Sequence, residues 1–243
     1  GLYYNINNPG NIFYNNILIN TFLMKYSMEN NVKKFISAGT VDCYPKNLKT
    51  PWREKDIWNG FPEPTSSSYA FSKKMLIIQG QAYKQQYNFN SSHLLFMNLY
   101  GPRDQFNLKK SHVIPAIIKK IYLAKKNQKK NITLFGSGNQ KREFLYIEDA
   151  AEAITLALAK YNSIEPLNIG TGKSISIKKV VKILIKIIGT DIKVKWKKNS
   201  ETGIYSKNFS VSNAKNKINF KAKTSLEKGL KKTVDWFKAN EKY

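Results

Sequence analysis

The sequence predicts an α/β protein, a partial doubly wound parallel sheet with helices on its faces, joined to a smaller carboxyl-terminal α/β domain. Three observations carry that prediction. Short apolar runs closed by glycine or polar turns alternate with stretches of helical period along the 243 residues, the order that builds a parallel sheet. Hydrophobic residues make up 42% of the chain, enough to fill a core of that kind. The most distinctive residues follow two of the apolar runs, where an open parallel sheet binds its ligand.

From Pro9 to about Met28, Ile12, Phe13, Ile17, Leu18, Phe22 and Leu23 recur at helical spacing and predict an amphipathic helix. Val32–Gly39 is short, apolar and ends on glycine, which suits a buried strand. A polar loop bearing prolines runs from Tyr44 to about Pro64, and Thr65 with Ser66, Ser67 and Ser68 can cap a helix from Tyr69 to Tyr87. His93–Leu99 is a second buried strand, closed by Tyr100-Gly-Pro. Ser111 can cap a helix to Lys126, Ile132–Phe135 forms a strand, and Phe144–Ile147 forms another that leads into a helix over Glu148–Lys160. Leu167–Gly170 completes the strands, and helices over Ile177–Ile188 and Thr224–Phe237 complete the chain.

Composition excludes several functions. One cysteine forbids an internal disulfide and a multi-cysteine metal cluster, and two histidines leave little else to hold a transition metal. No metal is expected. No apolar run approaches the roughly 20 residues of a membrane span, and the opening GLYYNINNPG lacks the layout of a secretory signal, so a cytoplasmic protein without membrane contact is expected. Forty-one basic against 16 acidic residues give a net charge of +25. The lysines are spread along the whole chain with no aromatic RNA-binding motif among them, which describes a solvated surface better than a nucleic-acid stripe.

The chemistry is concentrated around Tyr69-Ala-Phe-Ser-Lys73, which puts a phenol and an ammonium on one face of one helix, near its amino end. A phenol titrates near 10, so it serves as an acid near neutrality only where a cation or a helix terminus favours its phenolate. Thr40, just past the first buried strand, can place a hydroxyl beside that phenol to hold a substrate oxygen.

Gly39-Thr40 with Tyr44-Pro45, Tyr69-x-x-x-Lys73 and Asn98-Leu-Tyr-Gly-Pro102 together resemble the extended short-chain dehydrogenases of the NAD-dependent epimerase/dehydratase family, whose dinucleotide-binding sheet is of Rossmann type. Trp58-Asn-Gly, Ser111-His-Val-Ile-Pro115, Phe135-Gly-Ser-Gly138, Arg142-Glu-Phe-Leu145 and the closing Lys223–Leu230 with Asp235-Trp-Phe237 narrow the likeness to the GDP-L-fucose synthases. The resemblance implies an NADP-dependent epimerase/reductase of a GDP-4-keto-6-deoxyhexose, with NAD(H) as the alternative cofactor and a homodimer at full length. It implies that Tyr69 donates the proton while hydride reaches the C4 ketone, that Thr40 polarises the oxygen, and that Lys73 binds the nicotinamide ribose. It places Ala38, Gly39, Thr40, Val41, Tyr69, Lys73, Phe96, Met97, Asn98, Leu99 and His112 around the cofactor. It assigns Asn98, Lys120, Phe135, Arg142 and Lys207 to the nucleotide sugar.

Epimerisation at C3 and C5 needs an acid and a base, for which the family uses a histidine and a cysteine. His112 matches the histidine; read alone, it is a polar first-turn residue. At the cysteine position stands Asp42, with Cys43 one later. Neighbours in an extended segment face opposite ways, so Asp42 is expected at the sugar and Cys43 in the core. The family opens on a strand and a Gly-x-x-Gly-x-x-Gly turn that cradles the pyrophosphate and selects NADP or NAD. No such turn precedes Thr40, and the expectation is a chain lacking that segment. Residues 1–100 with 143–170 then make a partial dinucleotide-binding domain, and 101–142 with 171–243 a substrate domain. Other readings of the same scaffold are a nucleotide-sugar 4-epimerase, 4-reductase or dehydratase, and a non-catalytic nucleotide-sugar-binding protein.

Overall fold

The computed structural model describes residues 2–197 and 206–240. Residues 198–205 and 241–243 of the expected substrate domain, and residue 1 of the other, lie outside them. In chain order the elements are α1 (Leu2–Asn7), α2 (Pro9–Glu29), β1 (Phe35–Thr40), α3 (Ser67–Tyr87), β2 (Ser91–Phe96), β3 (Asn98–Tyr100), α4 (Val113–Lys126), β4 (Asn131–Phe135), β5 (Lys141–Tyr146), α5 (Ile147–Lys160), β6 (Leu167–Ile169), β7 (Ser174–Ser176), α6 (Ile177–Ile188), β8 (Lys193–Lys197), β9 (Ser206–Lys207), α7 (Ser212–Ile218) and α8 (Leu226–Ala239).

β1, β2 and β6 form a parallel sheet in the order β1-β2-β6, with Ala38 opposite Leu94 and Leu94 opposite Leu167. All six residues of β2 are buried, as a strand covered on both faces requires. Its side chains alternate: Leu94 and Phe96 pack on Ala150, Ala153 and Ala157 of α5, while Leu95 joins Ile77 of α3 on the other face. Helices on both faces of a parallel sheet are the expected architecture.

The second half is built around β5, which pairs with β3 and β9 in parallel and with β7 antiparallel; β4 and β8 form a separate parallel pair. Ile114, Ile118 and Ile121 of α4 meet Val180, Leu184 and Ile188 of α6 and Leu230, Val234 and Phe237 of α8. These spacings of three and four residues are the apolar stripes from which the helices are predicted.

The structure corrects four details. The expected strand His93–Leu99 is two strands: Met97 still donates to the Ile169 carbonyl at 3.3 Å, but Asn98 turns to face Phe144 in the other sheet. β6 has ended by then, so the strand has no neighbour to follow. Ser111 does not cap α4; His112 occupies that position without a side-chain cap bond, and the Ser111 hydroxyl is buried with no hydrogen-bond partner. α3 begins after Ser66, whose hydroxyl donates to Glu63 O rather than capping the helix. On α2, Ile12 and Met24 are buried while Phe13, Phe22 and Leu23 are exposed, so the helix does not bury the stripe that its sequence suggests. α1, β7, β8, β9 and α7 have no counterpart in the sequence reading; each is short, and the Lys-Val-Lys-Trp-Lys alternation of β8 is the clearest signal among them.

Candidate active site

Thr40 ends β1, and residues 41–43 follow it as a single 3-10 turn. The Thr40 hydroxyl accepts a hydrogen bond from the Asp42 N–H at 3.2 Å, which fixes the turn's start. Because the turn is not extended, Asp42 and Cys43 diverge by roughly a third of a turn each rather than by strand alternation. Cys43 is buried, as expected. Asp42 is half-buried at the site, whereas Cys43 is wholly buried with its Sγ 3.5 Å from the Ala70 carbonyl. Burial pushes the Cys43 thiol up to about 12, the behaviour of a structural rather than a reactive cysteine.

The first turn of α3 brings Tyr69 against this loop, where the Thr40 side chain favours its phenolate. Burial, then the Asp42 charge and Cys43, push Tyr69 up to about 12; Thr40 pulls the other way. Lys73 stands one helical turn on with its Nζ 6.0 Å from the Tyr69 ring centroid, and burial pushes its own pKa down. The expected lowering of the phenol by Lys73 is therefore not what governs Tyr69 here. Its proton is held more firmly than in a free phenol, so donation depends on groups that favour the phenolate, among which Thr40 is the one that acts on it here. A cavity of about 290 Å³ lined by Asn5, Ile6, Pro9, Ser66, Ser68 and Tyr69 opens beside the phenol. A larger one, about 380 Å³, lies between Arg53–Lys55 and Ser210–Asn213 and holds none of the expected site residues.

Three further groups gather opposite. Lys207 pairs with Asp42 at 3.3 Å, and Arg142 is its Cα partner across β5 and β9. Burial pushes the Arg142 guanidinium down while the Asp42 charge holds it up, so Asp42 faces both cations and the phenol. Asn98 donates its Nδ2 to the Glu143 carbonyl at 2.9 Å. Lys120 and Phe135 form a pair of their own, the ammonium 5.4 Å from an exposed ring. His112 is exposed at the start of α4, near the half-buried Asp104. Of the residues expected around the cofactor, Ala38, Gly39 and Thr40 end β1, and Val41 is buried behind them. Phe96 and Met97 are buried at the end of β2, and Leu99 is half-buried in β3.

Two groups escaped the sequence reading. Tyr44 donates its hydroxyl to Asn168 Oδ1 at 2.8 Å, Asn168 donates to Trp52 O at 3.1 Å, and Glu54 accepts the Asn168 N–H at 3.0 Å, which pins the 44–58 loop to β6. Glu143 is completely buried beside Arg142. The available signal was a polar residue inside an otherwise apolar strand, as in Leu167-Asn-Ile169 and Arg142-Glu-Phe144.

A phenol, an ammonium and a hydroxyl at the carboxyl ends of β1 and β2 fit the nicotinamide-ribose end of a dinucleotide; a pyrophosphate-cradling glycine turn does not occur in the sequence. Among the described residues no three His, Cys, Asp or Glu side chains gather as a metal site, and no helix is long and apolar enough to cross a membrane.

The sequence profile described as the NAD dependent epimerase/dehydratase family matches residues 2–170. A GDP-L-fucose synthase of Sinorhizobium fredii is 35% identical over 240 residues, which are 99% of this chain and 76% of that protein. GDP-L-fucose synthase 1 of Arabidopsis thaliana is 31% identical over 99% of this chain and 74% of its own. The crystal structure of a GDP-L-fucose synthetase from Naegleria fowleri superposes with a TM-score of 0.91 at 27% identity, covering 98% of this chain and 75% of that one. With more than half of its length matched and the Thr40, Tyr69 and Lys73 cluster assembled at the sheet's carboxyl edge, the chain belongs to the NAD dependent epimerase/dehydratase family.

Proposed function

We infer that this protein is an NADP-dependent epimerase/reductase of a GDP-linked 4-keto-6-deoxyhexose. The observation that carries the reading is the placing of Thr40 at the end of β1 beside a half-buried Tyr69 one helical turn from Lys73. When bound, the reduced cofactor supplies hydride to the sugar's C4. Tyr69 then gives its phenolic proton to the C4 oxygen, Thr40 orients that oxygen, and Lys73 holds the ribose and offsets the phenolate left behind. His112 moves a proton at the carbons next to the ketone. Ala38, Gly39, Val41, Phe96, Met97, Asn98 and Leu99 form the wall against which the nicotinamide lies.

On the substrate side, Arg142 and Lys207 take the diphosphate, Asn98 the sugar, and Phe135 with Lys120 the nucleoside end. A guanidinium offers two parallel donors to phosphate oxygens, and an ammonium adds a point charge. The division into a dinucleotide-binding part (1–100 and 143–170) and a substrate part (101–142 and 171–243) belongs to the same reading. It is supported by the separate packing of the β1-β2-β6 sheet and of the α4, α6 and α8 cluster, with α7 packed on the sheet's side and Tyr100, Phe144 and Tyr146 in the helical cluster. We read the protein as a homodimer: α2 and α3 lie side by side, linked by Gln79 donating to Thr21 O at 3.1 Å, and expose Phe22, Leu23, Tyr26, Met75 and Ile78. A cytoplasmic location accords with that substrate and cofactor class.

The test is to supply GDP-4-keto-6-deoxymannose with NADPH and follow NADPH consumption and the product sugar. Consumption that requires the GDP-linked ketosugar supports the reading, and none with it, but consumption with a UDP-linked ketosugar, overturns the substrate assignment.

A further inference from the structure

Glu143 lies in β5 with its side chain wholly buried. Its Oε1 accepts the Thr171 N–H and, at 2.8 Å, the Gly172 N–H, with the Thr171 hydroxyl at 3.3 Å; its Oε2 accepts the Phe209 N–H at 2.8 Å. Burial pushes its pKa up and these donors pull it back. A buried carboxylate is costly unless fully bonded, so its retention in an apolar strand needs a reason.

The reason lies in where the donors come from. Thr171 and Gly172 belong to the turn after β6, a turn shaped around the carboxylate: a Cβ on Gly170 would land on Oε1, and Gly172 has a φ of +72°. Phe209 comes two residues after Lys207. Among the described residues, β9 pairs with β5 through Lys141 opposite Ser206 and Arg142 opposite Lys207. That register sets two cations side by side, which repel. The bond from Phe209 to Glu143 fastens the strand just beyond Lys207. The Glu143 carbonyl also receives Asn98 Nδ2.

We propose that Glu143 is a positioning residue for diphosphate recognition: its carboxylate clamps β9 onto β5 so that Lys207 stands beside Arg142 as a cation pair for a nucleoside diphosphate sugar. The proposal rests on the functional reading above and adds to it the residue that sets the spacing of the pair. Replacing Glu143 by Gln turns one acceptor into a donor facing an N–H, and β9 loosens.

A double-mutant cycle tests this, with GDP and inorganic pyrophosphate as titrants by calorimetry, on the whole chain, its E143Q and K207M variants and the double variant. E143Q should weaken both ligands about tenfold in the native background but less than about twofold when Lys207 is already Met, since coupled residues are non-additive. An equal loss in both backgrounds, or no loss in either, overturns the proposal while the substrate reading stands on the native chain's binding. No binding by the native chain overturns the substrate reading itself. Should E143Q not unfold cooperatively, Thr171→Val, which removes one donor to Oε1 and keeps the carboxylate, replaces it. A smaller weakening that vanishes in K207M supports the clamp, and one that persists there, or no weakening, refutes it.

Discussion

Asp42 Oδ1 and Lys207 Nζ stand 3.3 Å apart, joining the turn after β1 to β9 across the proposed sugar site. A carboxylate oxygen engaged by an ammonium is less available to exchange protons with carbon. Epimerisation should therefore be slow or confined to one carbon while C4 reduction proceeds. In deuterated water the product should carry deuterium at no more than one of C3 and C5. Complete labelling at both, abolished in Asp42→Asn, would make Asp42 a working acid-base residue. Labelling at both that survives Asp42→Asn and is lost in Cys43→Ser would move the role to Cys43.

Tyr69→Phe should lower turnover by roughly a hundredfold or more, the scale of a lost general acid, with nucleotide-sugar affinity kept. Steady-state NADPH consumption alongside calorimetric binding of GDP measures both. Near-native turnover would remove Tyr69 from the mechanism.

His93 is buried between Ser37 Oγ, 2.7 Å from its Nδ1, and Ser91 Oγ, 3.4 Å from its Nε2, and burial pushes it down to about 4. The unfolded chain's histidine titrates near 6.5, so between those values the unfolded state binds the extra proton. Stability should rise with pH across that window and be lost as pH falls through it, by on the order of 3 kcal/mol at most. Urea midpoints from pH 4 to 7 should show that slope in the native chain and a flatter one in His93→Gln; equal slopes would contradict it.

Gly80 faces the same place from α3, where an added Cβ would lie 2.5 Å from Ser91 Oγ and on the His93 ring. Alanine normally favours a helix over glycine. Here overpacking should win, and Gly80→Ala should destabilise by about 1–3 kcal/mol in chemical denaturation. An unchanged or raised midpoint would show that α3 can shift outward freely.

The parallel sheet and its helices were legible in sequence because their signals are local: β2 is apolar along its length, and α4, α6 and α8 carry stripes at helical spacing. The Thr40, Tyr69 and Lys73 cluster was legible because one strand end and one helix face carry it. What escaped was non-local or short. β9 exists only by pairing with a strand some sixty residues earlier, and no pattern in Ser206-Lys207 announces it. The Asp42–Lys207 pair spans 165 residues, and the break at Met97 depends on where β6 ends. Apolar spacing also misled at α2, because periodicity marks a stripe without saying what covers it.

The handover at Met97 has a mechanical consequence. β2 ends at Phe96 and β3 begins at Asn98, so a single residue, Met97, connects the two sheets, about 7 Å from Cα to Cα across it at full stretch. There is no slack in such a joint. Any sliding of the β5 sheet past the β1-β2-β6 sheet pulls directly on β2. The two sheets can pivot about Met97, and their spacing there is set by a strand rather than by a loop.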